Sequence, residues 1–230
     1  VGEGYRFVNA TVKNYNLNTV CEEAKCPNIG TCWADRTATF MVLGDTCTRA
    51  CRFCHIKTGN PEGLLDKNEP QNVAESCLSM KLKYVVLTMV DRDDLPDGGA
   101  LHLKKVIEAI KRLNPGIIIE LLSGDLAGCQ EALREVVATD LHVFAHNLET
   151  VRRLSPRVRD RRASFEQSLR MLEAAKTLNK MKIKSFCFAG NKGGKLKKFV
   201  KYPVIIPSSN TSEIQVLEIM IGQILCEFLE

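Results

Sequence analysis

The sequence predicts an α/β fold, a partial barrel in which parallel strands alternate with helices. Short apolar runs such as 84–90 have the length and β-branched composition of buried strands. Longer amphipathic segments such as 100–113 separate these runs, and Pro and Gly mark short connections between them. Apolar residues make up 45% of the 230, which is enough for a sizeable core. The sequence contains no run of about 18 apolar residues, so no membrane span is predicted.

The individual elements follow in chain order. A short helix is predicted within 8–17. Strands are predicted at 39–44, 84–90, 117–122, 141–145 and 182–188. Helices are predicted at 71–81, 100–113, 127–138 and 164–178, with a further apolar helix at 213–229. We therefore divide the chain into an N-terminal extension (1–38), the partial barrel (39–188) and a basic, then apolar tail (189–230).

Cysteine is the most informative residue type, because six of the ten fall into two tight triplets. Clustering of this kind favours metal ligation in a reducing compartment. The other four, Cys77, Cys129, Cys187 and Cys226, are expected to be small buried apolar side chains.

The later triplet is Cys47, Cys51 and Cys54, within the sequence GDTCTRACRFCHIK at 44–57. A loop this tight can aim three thiolates at one point, one fewer than an ordinary zinc or four-iron site uses. If the three hold a four-iron cluster, one iron is left free to bind a substrate. That arrangement is typical of enzymes that make radicals from S-adenosylmethionine (SAM), in which an aromatic residue such as Phe53 precedes the last cysteine. The alternative is a zinc site with His55 as the fourth ligand.

The earlier triplet is Cys21, Cys26 and Cys32. Pro27 and Gly30 are expected to break any helix, so the segment is predicted to be a loop that wraps an inorganic centre. One four-iron cluster cannot take six thiolates, and two triplets therefore indicate two clusters. A six-cysteine zinc arrangement or disulfides are the alternatives.

Polar residues follow the predicted strands, where ligand contacts gather on an apolar scaffold. They lie at 91–99, near Glu120, Ser123 and Asp125, and at 146–150. Helix capping or solvated turns would explain each of them equally well. Six arginines between 150 and 162 form either a solvated face or a docking surface for an acidic protein. The net charge of +5 permits an acidic partner without indicating nucleic acid.

Four segments together resemble the lipoyl synthase family of the radical SAM superfamily. They are TVCEEAKCPNIG at 19–30, GDTCTRACRFC at 44–54, VDRDDLPDGG at 90–99 and HNLET at 146–150, and the match covers 5–185. The separate early triplet is the discriminating feature. Biotin synthase-like and methylthiotransferase-like proteins carry their second set of ligands elsewhere.

The resemblance implies a SAM-binding 4Fe-4S cluster on the later triplet and an auxiliary, sulfur-donating 4Fe-4S cluster on the earlier one. It implies insertion of two sulfur atoms into a protein-bound octanoyl group, at the sixth and eighth carbons, with no catalytic side chain beyond the cluster ligands. Asp97, Gly98 and Gly99 are the expected contacts of the SAM amino group. Glu120, Asn147 and Glu149 are further candidate contacts of SAM or substrate.

The resemblance also implies partners and a location. The expected partners are an octanoylated lipoyl carrier domain or H protein and an electron donor such as ferredoxin or flavodoxin, with no nucleic acid and no membrane. No signal or transit peptide is visible, and the expected location is a bacterial-type cytoplasm or, alternatively, a mitochondrial or plastid matrix.

The C-terminal part departs from the family. The family's Arg-Ser-Ser motif, whose serine completes the auxiliary cluster, does not occur, and Ser208-Ser209 follows a proline. The Gly-rich strand end and last strand–helix unit expected after Ser185 are replaced by other sequence. We therefore expect a barrel that is truncated or altered at its C-terminal end. An inactive fragment that binds clusters or carrier without turnover is the alternative to an active enzyme.

Overall fold

The computed structural model describes residues 2–34, 39–178, 186–194, 196–198, 200–210, 212–214, 216–218 and 220–221. Two compact units comprise residues 1–179 and 180–230. The strands are β1 (Asn18–Thr19), β2 (Thr39–Val42), β3 (Thr46–Cys47), β4 (Lys57–Thr58), β5 (Tyr84–Met89), β6 (Ile118–Leu122), β7 (Val143–Ala145), β8 (Phe186–Gly190) and β9 (Tyr202–Ile206). The helices are α1 (Glu3–Asn14), α2 (Val20–Glu23), α3 (Ile29–Ala34), α4 (Glu69–Ser79), α5 (Ala100–Leu113), α6 (Gln130–Val137), α7 (Ser155–Val158) and α8 (Phe165–Leu178).

The first unit is built on a five-stranded sheet in the order β1-β2-β5-β6-β7. Strands β2, β5, β6 and β7 run parallel, and β1 pairs antiparallel with β2 at the edge. Met41, Thr88, Leu122 and Ala145 lie side by side across the four parallel strands. The strands predicted at 39–44, 84–90, 117–122 and 141–145 are confirmed within two residues at each end. The described strands form an open α/β sheet, not a closed barrel, so the predicted fold class holds.

Helices cover one face of this sheet because parallel neighbours need crossover connections. Contacts run from α4 to α5, from α5 to α6 and from α6 to α8, which makes one continuous helical layer. Val85 and Leu87 of β5 are buried, whereas the alternate residues Val86 and Thr88 are partly exposed. One face of the sheet therefore carries the core, and the other face together with the carboxyl ends of the strands is free to form a site.

The N-terminal extension packs on this unit. Helix α1 begins at Glu3, earlier than the predicted 8–17, and its Tyr5 ring lies 5.0 Å from the buried Trp33 ring. The Gly4 backbone is so close to α3 that a Cβ atom there would lie 2.0 Å from the carbonyl oxygen of Ala34. The expectation that Gly30 breaks any helix is wrong, since α3 runs through it beneath α1.

The second unit contains a separate pair of parallel strands, β8 and β9. The predicted strand at 182–188 lies partly outside the described residues, and its described part, from Phe186, pairs with β9. The predicted helix at 213–229 is helical at 212–214, 216–218 and 220–221, and its remainder lies outside the described residues. The three-part division of the chain made from the sequence stays a prediction. No helix in the described part of the chain is both long and apolar enough to cross a bilayer.

Arg92 joins the ends of β2 and β5. Its guanidinium donates Nε to Asp94 Oδ1 (2.8 Å) and Nη2 to Asp94 Oδ2 (2.7 Å). It also donates to the carbonyl oxygens of Leu43 and Leu64, each at 2.9 Å. The Arg92 side chain is 1% exposed and that of Asp94 is 9% exposed, so this forked pair is shielded from solvent. Arg92 thus fixes the chain on both sides of the cysteine loop.

Replacing Arg92 by Met should lower the free energy of unfolding by about 3–5 kcal/mol, because it leaves two carbonyls without their donor and the Asp94 carboxylate with the Gly63 N–H but no cation. Chemical denaturation of the metal-free chain measures the change. Arg134→Met is the matched control: Arg134 and Glu131 form an exposed pair, and its loss should cost under about 1 kcal/mol. Equal effects of the two substitutions would show that Arg92 is not a structural clamp.

Candidate active site

A pocket of about 230 Å³ lies at the carboxyl ends of the parallel strands. Its floor includes the row formed by the buried Met41 and the partly exposed Thr88 and Leu122. Its walls come from the residues that follow β5, β6 and β7, from the cysteine loop and from the segment after α7. The carboxyl ends of parallel strands are where ligand sites form in α/β proteins.

The cysteine loop (residues 47–58) places all three later cysteines in the wall of this pocket. Its two ends are held together by the short parallel pair of β3 and β4, and the Gly59 N–H donates to the carbonyl of Cys47 at 3.0 Å. Within the loop the Cys54 N–H donates to the carbonyl of Cys51 at 3.1 Å. His55 is exposed and does not line the pocket, unlike the three thiols.

Backbone N–H groups point at two of these sulfurs. Arg49 N–H donates to Cys47 Sγ at 3.4 Å, and Asp160 N–H donates to Cys51 Sγ at 3.3 Å. Burial nevertheless raises the pKa of the Cys47 thiol to about 11 and also raises that of Cys51. In the metal-free chain these sulfurs hold their protons near neutral pH. A metal centre that bound these sulfurs as thiolates would therefore release protons, and its binding would be favoured as pH rises.

Arg49 is the electrostatic centre of the site and is only 4% exposed. It donates Nε and Nη2 to the two carboxylate oxygens of Asp93, at 2.9 and 2.7 Å. Its Nη2 also lies 2.7 Å from Asp125 Oδ1, and its Nη1 lies 3.5 Å from Asp91 Oδ1. Three aspartates from the ends of two adjacent strands thus meet on one residue of the cysteine loop.

The pKa values of these groups reflect burial and mutual charge. Burial would lower the pKa of Arg49, but its hydrogen bonds with Asp93 and Asp125 raise it above the usual range. Burial raises the pKa of Asp91 to about 6, although the Arg49 charge opposes that shift. Against the effect of burial, hydrogen bonds from Arg49 and Thr48 lower the pKa of Asp93. Arg49 and Asp93 are therefore a charged pair near neutral pH, whereas the pKa of Asp91 lies above the ordinary range of an aspartate.

A second set of contacts ties the loop to the segment after α7. The Ala50 N–H donates to Asp160 Oδ2 at 3.0 Å, and the Arg52 N–H donates to the carbonyl of Val158 at 2.8 Å. Arg162 donates Nε to Asp160 Oδ1 at 2.9 Å and Nη2 to the carbonyl of Thr48. The hydrogen bond from Arg162 lowers the pKa of Asp160.

Two buried acceptors in the pocket wall have no hydrogen-bond partner among the described residues. They are Asp125 Oδ2 and His146 Nε2. His146 Nδ1 lies 2.8 Å from the carbonyl of Ser123, so Nδ1 carries the proton and Nε2 is a free acceptor. Burial lowers the pKa of His146, which keeps the ring neutral. Both atoms are shielded from solvent, so a ligand that brings donors would have to displace part of the pocket wall to reach them.

The expected SAM contacts are divided by the structure. Asn147 and Glu149 line the pocket beside His146. Asp97, Gly98 and Gly99 do not line it: Asp97 accepts from the N–H groups of Gly99 and Leu101 at the start of α5. Glu120 does not line it either, and it accepts a hydrogen bond from the Tyr84 hydroxyl on β5.

The two glycines after Asp97 are required by the backbone. Gly98 and Gly99 have φ angles of 61° and 92°. A Cβ atom at Gly99 would lie 2.6 Å from the Leu43 side chain, and one at Gly98 would lie 3.0 Å from the Leu126 Cα atom. This turn therefore packs against the residues next to Gly44 and Asp125.

The earlier cysteines lie on the two short helices α2 and α3 and on the compact turn that joins them. Cys21 is in α2 and is buried, and the Cys26 N–H donates to its carbonyl at 3.0 Å. Cys32 is in α3, and both it and Cys26 are partly exposed. Val20, adjacent to Cys21, lines the pocket. The extension that carries this triplet therefore adjoins the wall that carries the other.

Comparison with known proteins assigns the chain to a family. Residues 41–200 match the family model of the radical SAM superfamily. The chain belongs to the radical SAM superfamily. It is 59% identical over 177 residues to the lipoyl synthase of Halorhodospira halophila, covering 77% of this chain and 53% of that protein. It is 54% identical over 175 residues to the Thermus thermophilus lipoyl synthase, covering 76% and 54%.

A third relative is the mitochondrial lipoyl synthase of Komagataella phaffii, 52% identical over 182 residues, covering 77% of this chain and 44% of that protein. These relatives confirm the resemblance predicted from the four sequence segments. The chain spans about half the length of the curated relatives that it matches.

Membership of the superfamily implies SAM and a 4Fe-4S cluster as cofactors. The later triplet fits such a cluster, since three free thiols share one pocket wall and backbone donors face two of them. No three His, Cys, Asp or Glu side chains in the described ranges converge on a single metal ion. A four-iron cluster does not need that convergence, because each cysteine binds a different iron.

Replacing Arg49 by Met should prevent stable loading of this cluster. The three carboxylates would then lose the cation that they share, with only Arg162 left 3.6 Å from Asp93, and the loop would lose its ion pairs with the residues after β5 and β6. Anaerobic reconstitution followed by iron analysis should give well under half of the wild-type occupancy at the later triplet. Arg52→Met, in the same loop but with an exposed side chain, should load normally. Equal loading of the two variants would remove Arg49 from this role.

Proposed function

We propose that this chain carries the catalytic centre of a lipoyl synthase. The reaction is SAM-dependent insertion of two sulfur atoms into an octanoyl group attached to a carrier protein. The supporting observation is the position of the two cysteine triplets: the pocket lined by Cys47, Cys51 and Cys54 is also lined by Val20, the neighbour of Cys21. An enzyme that both activates a carbon and supplies its sulfur needs the two centres at one substrate position.

The later triplet would hold the SAM-binding cluster, and Cys21, Cys26 and Cys32 would hold an auxiliary cluster. When bound, these groups supply the reductive cleavage of SAM, the removal of hydrogen atoms from the acyl chain and the donated sulfur. The chain's own contribution is positioning. Strand β1 pairs with β2, and β2 leads directly into the cysteine loop, so one short antiparallel pair fixes the two segments relative to each other.

In this proposal, the residues expected to contact SAM have two roles, according to whether they line the pocket. Asn147, Glu149, His146 and Asp125 would contact SAM, because all four line the pocket and two of them carry unpartnered acceptors. Asp97, Gly98 and Gly99 lie outside the pocket and would act indirectly, because Gly98 packs against Leu126, the neighbour of Asp125. Glu120 also lies outside the pocket and would stay a candidate contact of SAM or substrate. An electron donor of the ferredoxin or flavodoxin class and an octanoylated lipoyl carrier domain or H protein would be the partners.

Replacing Cys51 by Ala should abolish SAM cleavage, because the cluster that binds SAM loses one of its three thiolates. The measurement is formation of 5′-deoxyadenosine from SAM with an octanoyl-lysine peptide and a chemical reductant. Cys77→Ala is the control, since Cys77 is fully buried between helices and outside both triplets. Undiminished cleavage by the Cys51 variant would refute its assignment.

Replacing Cys26 by Ala should spare SAM cleavage and stop sulfur insertion. Iron content after reconstitution should fall from about eight to about four per chain, as expected for the loss of one of two four-iron clusters. Mass spectrometry of the octanoyl peptide detects the inserted sulfur. Sulfur transfer at the wild-type rate in this variant would exclude an auxiliary cluster at the earlier triplet.

A further inference from the structure

The mouth of the pocket is bordered by a strongly basic surface. Segment 151–162 is bonded to the cysteine loop by the Arg52 N–H, the Asp160 carboxylate and the Arg162 guanidinium, as described above. Arg159 of this segment and Ala163, directly after it, line the pocket together with Phe53 and Cys54. A chain that enters this pocket would therefore contact Arg159 of the segment.

Some of the arginines there are already used within the fold. Arg152 pairs with Glu166 at 2.8 Å, Arg159 donates to the Ser168 hydroxyl at 2.9 Å, and Arg162 pairs with Asp160. Four others are exposed and have no ion-pair partner in the part of the chain that the structure describes. We call these four the arginine rim: Arg52, Arg153, Arg157 and Arg161.

The rim combines charge with exposed apolar surface. Phe53 is 50% exposed and Val151 is 54% exposed, although both are large apolar side chains. The only carboxylate within 151–162, that of Asp160, is engaged by Arg162 and by the Ala50 N–H. Arg52 is adjacent in the chain to Phe53, and Arg153 lies two residues after Val151. Arg and aromatic residues together are the composition that is enriched in protein-binding surfaces. A solvated face would not need the apolar residues.

We propose that the arginine rim docks an acidic protein surface, namely the face of the carrier around its acylated lysine. This inference rests on the proposed function, which requires the acyl group to enter the pocket while still attached to a protein. That protein must then cover the pocket mouth, and its surface beside the lysine must complement the rim. Opposite charges on the two faces accelerate association, and the positive rim repels proteins whose own surface is basic. Recognition therefore comes from carboxylates that flank the lysine.

The test is a charge reversal, Arg153→Glu/Arg157→Glu/Arg161→Glu, made in the full chain and reconstituted anaerobically. Its affinity for an octanoylated, net-acidic lipoyl domain should fall by about tenfold or more at low ionic strength, and the difference should shrink as salt screens the charges. Arg6→Glu/Lys105→Glu/Arg112→Glu is the control, with the same change of net charge on exposed residues of α1 and α5. The control should bind the domain as the wild type does.

A short uncharged octanoyl-lysine peptide separates docking from chemistry. The rim variant should convert this peptide at the wild-type rate, because none of its three substituted residues lines the pocket. Equal affinity of the rim variant and the control for the lipoyl domain would overturn the docking proposal, even where the peptide is converted. A wild-type chain that does not convert the peptide would instead overturn the proposed function.

A second comparison tests the class of partner. A single-stranded RNA is offered to the wild type and to both variants. If RNA binds the wild type as tightly as the lipoyl domain does, with the same loss in the rim variant, then the rim is an unselective polyanion surface and the proposal fails. Weak RNA binding that does not distinguish the variants supports an acidic protein as the partner.

Discussion

The ion pairs of Arg49 are the interaction on which the site depends. A cysteine loop of this kind has little apolar surface of its own and cannot be held by burial alone. Hydrogen bonds from Thr48 hold the loop to the residues after β5, and Arg49 adds a buried ionic attachment, because its guanidinium meets carboxylates from the ends of β5 and β6. Such a group is costly to desolvate, and it is stable only where every donor has an acceptor. The loop position and the sheet register are thus fixed by the same contacts.

The sheet provides this convergence through its parallel order. Thr88 of β5 faces Leu122 of β6, so the residues that follow the two strands emerge side by side. Asp91 and Asp93 come from one strand end, and Asp125 comes from the other. The helical layer buries the opposite face and leaves these ends to polar residues. The core and the site therefore occupy different faces of one rigid element, as sites built on strand ends require.

The regular elements were largely predictable from the sequence because their signals are local. The strand at Tyr84–Met89 and the helix at Ala100–Leu113 follow from the length and period of their apolar residues. The helix through Gly30 was not predictable, since five of its six residues have modest or poor helix propensity and the helix is held by Trp33 packing beneath α1. Tertiary packing outweighed propensity there. The start of α1 was missed for a similar reason: Gly4 weakens the helix but permits contact with Ala34.

The residues of the site also differ in how far they could be predicted from the sequence. The spacing of the cysteines is a local signal, and the sequence sufficed to select both triplets as candidate ligands. The role of Arg49 depends on residues more than forty positions away, and that of His146 depends on the carbonyl of Ser123. The role of Arg49 could have been identified from one sequence signal: an arginine inside the cysteine loop together with an Asp-x-Asp sequence after the next strand.

The unpartnered acceptors of Asp125 and His146 link ligand choice to folding. Burying an oxygen or nitrogen lone pair without a donor costs the free chain about 1–3 kcal/mol for each group. A ligand whose N–H or O–H groups reach both atoms removes that cost, whereas an isosteric ligand with methyl groups there leaves it in place. The atoms that make the ligand-free protein less stable are thus the same atoms that let it discriminate between ligands. The rise in melting temperature caused by a ligand analogue should then depend more on its hydrogen-bond donors than on its size.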